Sequence, residues 1–335
     1  MTGMIKRIIL SIVFALIAAP LHAQTPRIDI PLSASIVNPN DYDYRSVPGV
    51  HGTLTSVGSE TLAGLMTIWA QRFQELYPHV KFQIQASGSS TALPALIQGT
   101  SNIGPMSRKP NTREIAQFSR VYGYSPTTMI VAIDAVALYV ENNNPLTRLT
   151  LAEVDSLFSA TRLCGGAKNL TSWQDLGVNA YGEARTIQLF GRNSASGTYD
   201  LFKSQALCNG DYLRSVNEMP SSSSVVQSVA SSVGAIGYAA LGHQSMNVRT
   251  LALSANGVNY INATANNVRT GAYPFTRFLY IIVNQSPESP LSVLEHTFLM
   301  FVMSQEGQKI VADSGYFTVS ERSIKKQKEQ LLSVF

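Results

Sequence analysis

The stretch GRNSASGTYDLF (residues 191–202) joins an apolar, strand-like segment to a helical pattern through an arginine and several small residues. The pattern places Ser196 and Thr198 at a helix N-terminus, where several backbone N–H groups lack intrahelical partners. The helix dipole favours negative charge at the same end. Serine and threonine are also common helix caps in any α/β protein. The stretch therefore predicts a strand–turn–helix unit whose turn is either a simple cap or one side of an anion site.

Three other predicted strand-to-helix junctions have the same composition, namely GSET (58–61), SGSST (87–91) and MSR (106–108). Their candidate binding residues are Ser59, Glu60, Thr61, Ser89, Ser90, Ser107 and Arg108. Glycine lies beside the hydroxyl residue in three of the four junctions, which lets a ligand approach the backbone closely. Arginine adjoins two of them, and its planar fork suits an oxyanion better than a lysine. Four such turns converging on one cleft would form an anion site.

Strands and helices alternate along the rest of the chain. The 61–76 segment repeats apolar residues at helical spacing, VKFQIQA alternates as a strand, and MIVAIDAVALYV is apolar enough for one or two buried strands. Asn111 with Glu114, and Thr150 with Glu153, have the spacing of helix-capping pairs. This alternation predicts an α/β protein with mostly parallel sheets flanked by helices. With more than 300 residues after the leader, two lobes are favoured over one.

The N-terminus has the pattern of a secretory signal. Lys6 and Arg7 precede an apolar run over residues 8–19, and a small residue, Ala23, ends the segment. A run of this length is too short to span a bilayer, which needs roughly 20 residues. Residues 1–23 are therefore predicted to be a signal peptide, and residues 24–51, rich in Pro, Asn and Ser, an extended segment. The chain is expected to be periplasmic.

Charge and cysteine content narrow the function classes. The 25 basic and 21 acidic residues give a net charge of +4, and removing Lys6 and Arg7 lowers the basic count to 23. With no basic stripe interleaved with aromatic residues, no nucleic-acid partner is expected. Cys164 and Cys208 form an isolated pair, which in an oxidising compartment favours a disulfide over free thiols.

No enzymatic site is expected from the motifs. The histidines outside the leader are not spaced as metal ligands or as the base of a nucleophile. Ser196 lacks the glycine two residues before it that a nucleophile elbow requires. Residues 191–198 also lack the lysine of a nucleotide-binding phosphate loop. No catalytic residue, metal or cofactor is predicted, and a serine phosphatase or hydrolase is the remote alternative.

The stretches GSETLAGLMTIWAQRFQELYP, ASGSSTALPALIQGTSNIGPMSR, GRNSASGTYDLFK, IGYAALG and YPFTRFLYIIVN, in this order, resemble the periplasmic phosphate-binding proteins of ABC transporters. These belong to the type II periplasmic-binding-protein family, and the resemblance covers about residues 52–317. It implies a two-lobed α/β fold with the ligand cleft between the lobes. Lobe one would comprise residues 52–138 and 248–320, and lobe two residues 139–247. Separately from the resemblance, the charged cluster SIKKQKEQ (residues 323–330) favours a solvated tail over residues 321–335. The implied partners are inorganic phosphate and an inner-membrane ABC permease, and the chain would be a monomer.

The resemblance also assigns roles to the candidate residues. Arg192 would form a bidentate ion pair with phosphate, Ser196 and Thr198 would donate hydroxyl hydrogen bonds, and Gly197 and Thr198 backbone N–H bonds. The remaining ligands would come from the other three junctions: Ser59, Glu60, Thr61, Ser89, Ser90, Ser107 and Arg108. Binding proteins of this fold for another oxyanion or a phosphorylated metabolite, and a sensor or scaffold without a permease, stay open as alternatives.

Two positions depart from the family pattern. Ser107 stands where the best-known phosphate binders have an aspartate that accepts a hydrogen bond from the protonated ligand, and Ser194 stands where an acid orients the arginine. We hypothesise that Glu60 supplies the missing acceptor. The alternative is that Glu60 only complements its helix N-terminus from the surface.

Overall fold

A computed structural model describes residues 47–179, 185–243 and 245–332 of the chain, with the side chain of residue 332 left out. The predicted signal peptide and residues 24–46 of the extended segment lie outside the described residues. Among the helices that are described, none is both long enough and apolar enough to cross a membrane.

The described residues alternate strands and helices as the sequence predicts. The strands are β1 Gly52–Val57, β2 Val80–Gln85, β3 Ile103–Met106, β4 Thr127–Glu141, β5 Arg148–Thr150, β6 Gln188–Arg192, β7 Val216–Met219, β8 Ala235–Ala240, β9 Val248–Thr250, β10 Ala252–Ser254 and β11 Thr276–Val283. The α-helices are α1 Ala63–Leu76, α2 Ala92–Ile97, α3 Thr112–Tyr122, α4 Leu151–Phe158, α5 Gly197–Ala206, α6 Ser222–Ala230, α7 Ala265–Arg269, α8 Val293–Val302, α9 Gln305–Asp313 and α10 Glu321–Leu332. Short 3₁₀ helices cover Glu60–Leu62, Ser89–Thr91, Trp173–Leu176 and Leu241–His243.

A mixed, 9-stranded sheet dominates the described residues. Its order is β2-β1-β3-β11-β4-β8-β6-β7, with β9 added beside β4, while β5 and β10 form a separate parallel pair. The β2-β1-β3 and β8-β6-β7 ladders are parallel, whereas β11 and β4 run antiparallel to their neighbours. Because parallel strands end at the same edge, the turns after β1, β2 and β3 lie together. The predicted α/β class is confirmed.

The strand β4 connects the two parallel ladders. It is a single buried strand of 15 residues. It pairs with β11 over residues 127–135 and with β8 over residues 136–140. The change of partner after Ala135 therefore lies in the middle of the sheet.

The core consists of separate hydrophobic clusters. One contains Leu138, Phe202 and Tyr238 and extends through β9 and β10 to Phe275. A second contains Trp69 and Phe298, and a smaller third surrounds Phe118. The buried face of α1 is the one that the helical spacing predicts. The lobe boundaries themselves stay predictions.

Local contacts agree with the sequence in three places. Asn111 with Glu114, and Thr150 with Glu153, each form a reciprocal capping box. Cys164 and Cys208 are joined by a disulfide, as predicted. The bond links the loop after α4 to Cys208, two residues beyond the end of α5, a helix that begins at Gly197.

The C-terminal segment differs from the expected solvated tail. Residues 321–332 form α10, in which Ile324 and Leu331 are buried and Gln327 bonds the backbone of Ile130 in β4. These residues share one helical face, three and four positions apart. The lysines between them dominate the composition and conceal this narrow apolar face.

Candidate functional site

Side chains from all four predicted junctions meet in the folded chain. Thr61 Oγ1 lies 3.3 Å from Thr198 Oγ1, and Ser89 Oγ lies 3.2 Å from Ser107 Oγ. We call Thr61, Ser89, Ser107 and Thr198 the hydroxyl cluster; each is at most 1% exposed. Ser59 and Ser196, beside it in the chain, are also buried. The structure therefore brings together residues that the sequence separates by more than 130 positions.

The third junction has a different local structure from the predicted helix N-terminus. The helix α3 begins only at Thr112, with Asn111 as its cap. Pro110 disfavours a helical conformation at Lys109, so the helix cannot begin directly after β3. Ser107 instead lies in a loop, where its N–H donates to Ser89 Oγ at 2.9 Å.

The turn at Gly197 approaches the other junctions so closely that only glycine fits. A Cβ atom there would lie 2.6 Å from Ser89 Oγ and 2.7 Å from Ser107 Oγ. Ser196 caps α5 by accepting from the N–H of Thr198 at 3.1 Å. The positive end of the α5 dipole therefore points at the hydroxyl cluster.

Ser90 contacts the loop before α5 at Ala195. Its N–H and Oγ donate to the carbonyl of Ala195 at 3.2 and 3.1 Å. Gly88, at φ +111°, leaves no room for a Cβ beside Ala195 O, only 2.4 Å away. Ser90 thus joins the two loops through a backbone carbonyl.

Arg192 ends β6 and is almost fully buried, with 1% of its surface exposed. Its Nη1 lies 2.8 Å from Glu60 Oε2 and donates to Ser222 Oγ at 2.9 Å, and Nη2 donates to Pro220 O at 3.0 Å. Within the described residues its buried Nε has no acceptor. Burial lowers the pKa of Arg192, and the charge of Glu60 opposes that shift. A guanidinium stays protonated in proteins, so this is a buried positive charge.

Glu60 reaches this arginine rather than pointing into solvent. Its side chain is 16% exposed, and Oε2 also accepts from the N–H of Ser222 at 3.2 Å. In the family pattern an acid at position 194 pairs with this arginine, and this chain has a serine there. Glu60 pairs with Arg192 instead. Its role as acceptor for a ligand proton stays a prediction.

Arg108 is held by two acids. It forms a bidentate pair with Glu114, with both distances 2.7 Å, and its Nε donates to Asp200 at 2.5 Å. Burial alone would lower the pKa of Arg108, but Glu114 and then Asp200 outweigh it and raise that pKa. The pair with Asp200 connects the loop after β3 to α5.

Two residues that contact the site are not among those that the sequence predicts. Arg277 in β11 and Asp134 in β4 form a buried ion pair, 2.7 Å from Nη2 to Oδ2. Arg277 Nη1 also donates to Thr198 Oγ1 at 2.9 Å. The available signal was a single charge inside each of two strongly apolar strands, which is costly unless the charge is paired.

The sequence of the chain matches a known protein family over most of its length. A family model described as a PBP superfamily domain matches residues 45–306, well over half of the chain. The chain belongs to the PBP superfamily.

The relatives of this PBP superfamily chain include phosphate-binding proteins. It is 47% identical over 298 residues to the phosphate-binding protein PstS of Pseudomonas aeruginosa, covering 88% of this chain and 92% of the relative. It is 28% identical to the PstS of Bacillus subtilis, covering 82% and 83%.

Solved structures share the fold of this PBP superfamily chain. A Clostridium perfringens protein crystallised with bound phosphate superposes with a TM-score of 0.68 at 24% identity, over 80% of this chain and all of that one. An ABC-type phosphate transport receptor from Vibrio cholerae gives a TM-score of 0.61 at 22% identity, over 79% of this chain and all of the receptor.

The chemistry of the site in this PBP superfamily chain is that of hydrogen-bond donation. Hydroxyl groups, a helix N-terminus and a buried guanidinium all favour a negatively charged group. No group of three or more His, Cys, Asp or Glu residues that could hold a metal ion occurs in the described part of the chain. The arrangement is suited to an anion.

Proposed function

We propose that this chain is an exported, periplasmic binding protein that captures inorganic phosphate and delivers it to an ABC permease. It acts as a monomer and catalyses no reaction. The ligand is held by the hydroxyl cluster, Arg192 and the N-terminal turn of α5, with Ser59, Glu60, Ser90, Ser196, Gly197 and Arg108 around them. The identity to PstS proteins supports the ligand class.

The observation that carries the proposal is the environment of Arg192. Its charge is buried, Glu60 neutralises it, and its Nε donates to no group in the described residues. A buried donor without an acceptor costs about 1–3 kcal/mol. A phosphate oxygen would remove that cost and add charge-assisted hydrogen bonds, each about 1.5–3 kcal/mol. A few such bonds suffice for a dissociation constant of about 1 μM, which needs about 8.2 kcal/mol.

The test is calorimetric titration of the refolded protein, stripped of bound ligand, with phosphate and then sulfate. Arg192→Ala is expected to lose phosphate binding, whereas Arg214→Ala, an exposed arginine of the same region, keeps it. Thermal melts show whether each variant is folded. No heat with either anion, from a protein that melts cooperatively, would reject the proposal.

A further inference from the structure

The buried ion pair between Asp134 and Arg277 lies where β4 changes partner. Asp134 is paired with Arg277 in the β4–β11 ladder, and β8 takes over from Val136 onward. Asp134 Oδ2 accepts from both Nε and Nη2 of Arg277, at 3.0 and 2.7 Å. Both side chains are at most 2% exposed.

The third nitrogen of Arg277 joins two separate parts of the chain. Nη1 donates to the carbonyl of Ser107 at 3.2 Å and to Thr198 Oγ1 at 2.9 Å. Ser107 follows β3, and Thr198 is in the first turn of α5. One planar guanidinium thus joins β4, the loop after β3 and the first turn of α5.

This contact determines how the hydroxyl of Thr198 is used. A threonine hydroxyl has one proton and two acceptor lone pairs, and arginine can only donate. Because Arg277 donates to Thr198, the proton of Thr198 is directed elsewhere, to Thr61 or to a ligand oxygen. The arginine therefore makes Thr198 a donor, which is what an anion requires.

The pair is not arranged for stability alone. Asp134 Oδ1 is buried and accepts no hydrogen bond within the described residues. A buried ion pair is a weak source of stability even when every atom has a partner. The charge of Arg277 also adds to the lowering of the pKa of Arg192, for which burial is the main cause. The two guanidinium groups repel each other, and an anion bound near both would relieve that repulsion.

We propose that Arg277, held by Asp134, is a positioning residue of the anion site that directs the Thr198 hydroxyl to the ligand and holds the loop after β3 against α5. The inference rests on the proposed function, since the ligand is phosphate. An ion pair that only fills the core would leave the dissociation of phosphate unchanged in a variant that folds.

The test compares phosphate binding by the protein and by a double variant, Asp134→Asn with Arg277→Gln. Changing both residues avoids leaving one buried charge unpaired. Stopped-flow and calorimetry are expected to show at least tenfold weaker binding, mainly from faster dissociation. In a Thr198→Val background the same double change is expected to weaken binding less than threefold. Arg249→Gln is the control, because Arg249 lies in β9 beside β4 and donates to backbone carbonyls.

Arg277→Lys provides a second variant if the double variant fails to fold. It keeps the charge next to Asp134 but lacks the fork that makes all the contacts at once. Near-normal stability with faster phosphate release would support the proposal. Unchanged release in either folded variant would overturn the proposed role of Arg277 and leave the proposed function intact. An equal effect of the double change with and without Thr198 would do the same. No phosphate binding by the unsubstituted protein would overturn both this inference and the proposed function.

Discussion

Gly197 lies at the closest approach between the turn before α5 and the hydroxyl cluster. In Gly197→Ala the new Cβ would lie 2.6 Å from Ser89 Oγ and 2.7 Å from Ser107 Oγ, so one or both hydroxyls must move. We expect phosphate affinity to fall at least tenfold, with a loss of stability of about 1–3 kcal/mol from overpacking. Titration calorimetry and thermal melts measure the two effects.

The control for this substitution is Gly64→Ala. Gly64 is an exposed glycine of α1 with no atom within 4 Å of an added Cβ. Alanine there should leave binding unchanged and stabilise the helix by about 0.5–1 kcal/mol. Equal phosphate affinity in Gly197→Ala and Gly64→Ala would show that the close approach has no role in binding.

Glu60 is the residue for which a change of selectivity is predicted. Beside Arg192, the Glu60 carboxylate would accept a hydrogen bond from the hydroxyl group of hydrogen phosphate, while a sulfate oxygen would face it as a like charge. Glu60→Gln removes the charge, so we expect the preference for phosphate over sulfate to narrow about tenfold, since an unpaired buried acceptor costs about 1–3 kcal/mol.

Competition calorimetry with both anions measures this ratio. Glu75→Gln is the matched control, because Glu75 is an exposed acid that pairs with Arg72 on α1. If the ratio is the same in Glu60→Gln and in the unsubstituted protein, Glu60 serves only to hold Arg192.

At the scale of the element, the C-terminal helix gives a stability prediction. Ile324 in α10 is 1% exposed, so Ile324→Ala is expected to lower the free energy of unfolding by about 2–5 kcal/mol. Lys325→Ala, at an exposed neighbouring position, should change it by no more than about 0.5 kcal/mol. Urea unfolding measures both. Similar values for the two variants would mean that α10 contributes little packing in solution.

The elements that the sequence predicts correctly are those defined by local patterns. The capping boxes of α3 and α4 depend on residues three positions apart, and the buried face of α1 follows from its spacing. The antiparallel centre of the sheet could not be predicted in the same way. It depends on β11 pairing with β3 and β4, strands far away in the chain, and no local pattern specifies the partner of a buried strand.

The same distinction between local patterns and long-range contacts applies to the candidate site. Its hydroxyl groups were visible because small polar residues recur at four junctions, and the fold brings them together. The partner of Arg192 was not visible, because Glu60 reaches it from another junction. The pair of Asp134 with Arg277 needs the register of β4 against β11, which is a property of the folded sheet.

At the scale of the whole molecule, three polar contacts between predicted lobe one and predicted lobe two involve the candidate site. Glu60 contacts Arg192, Ser90 contacts the loop at Ala195, and Arg108 contacts Asp200 in α5. If the lobes move apart as the family resemblance implies, these contacts break together. A ligand that favours the closed form does so through such differential contacts.

The ion pair of Arg108 with Asp200 allows this coupling to be tested away from the hydroxyl cluster. Asp200→Asn removes one of the two acids on Arg108, while Glu114 still neutralises the arginine. A partly exposed pair is worth about 0.2–1 kcal/mol. We therefore expect roughly a two- to fivefold faster release of phosphate, with the association rate and the melting temperature without ligand nearly unchanged.

Stopped-flow kinetics on Asp200→Asn and on Asp211→Asn distinguish closure from general charge effects. Asp211 is an exposed acid in the loop after α5 that pairs with Lys203 of that helix, so its removal changes the net charge equally without touching a contact between the predicted lobes. Faster release in Asp200→Asn alone would tie the dwell time of phosphate to this contact. Equal changes in the release rates of the two variants would mean that long-range electrostatics, which added salt screens, causes the change. No change in either would mean that the contact between the loop after β3 and α5 is not part of what keeps the ligand bound.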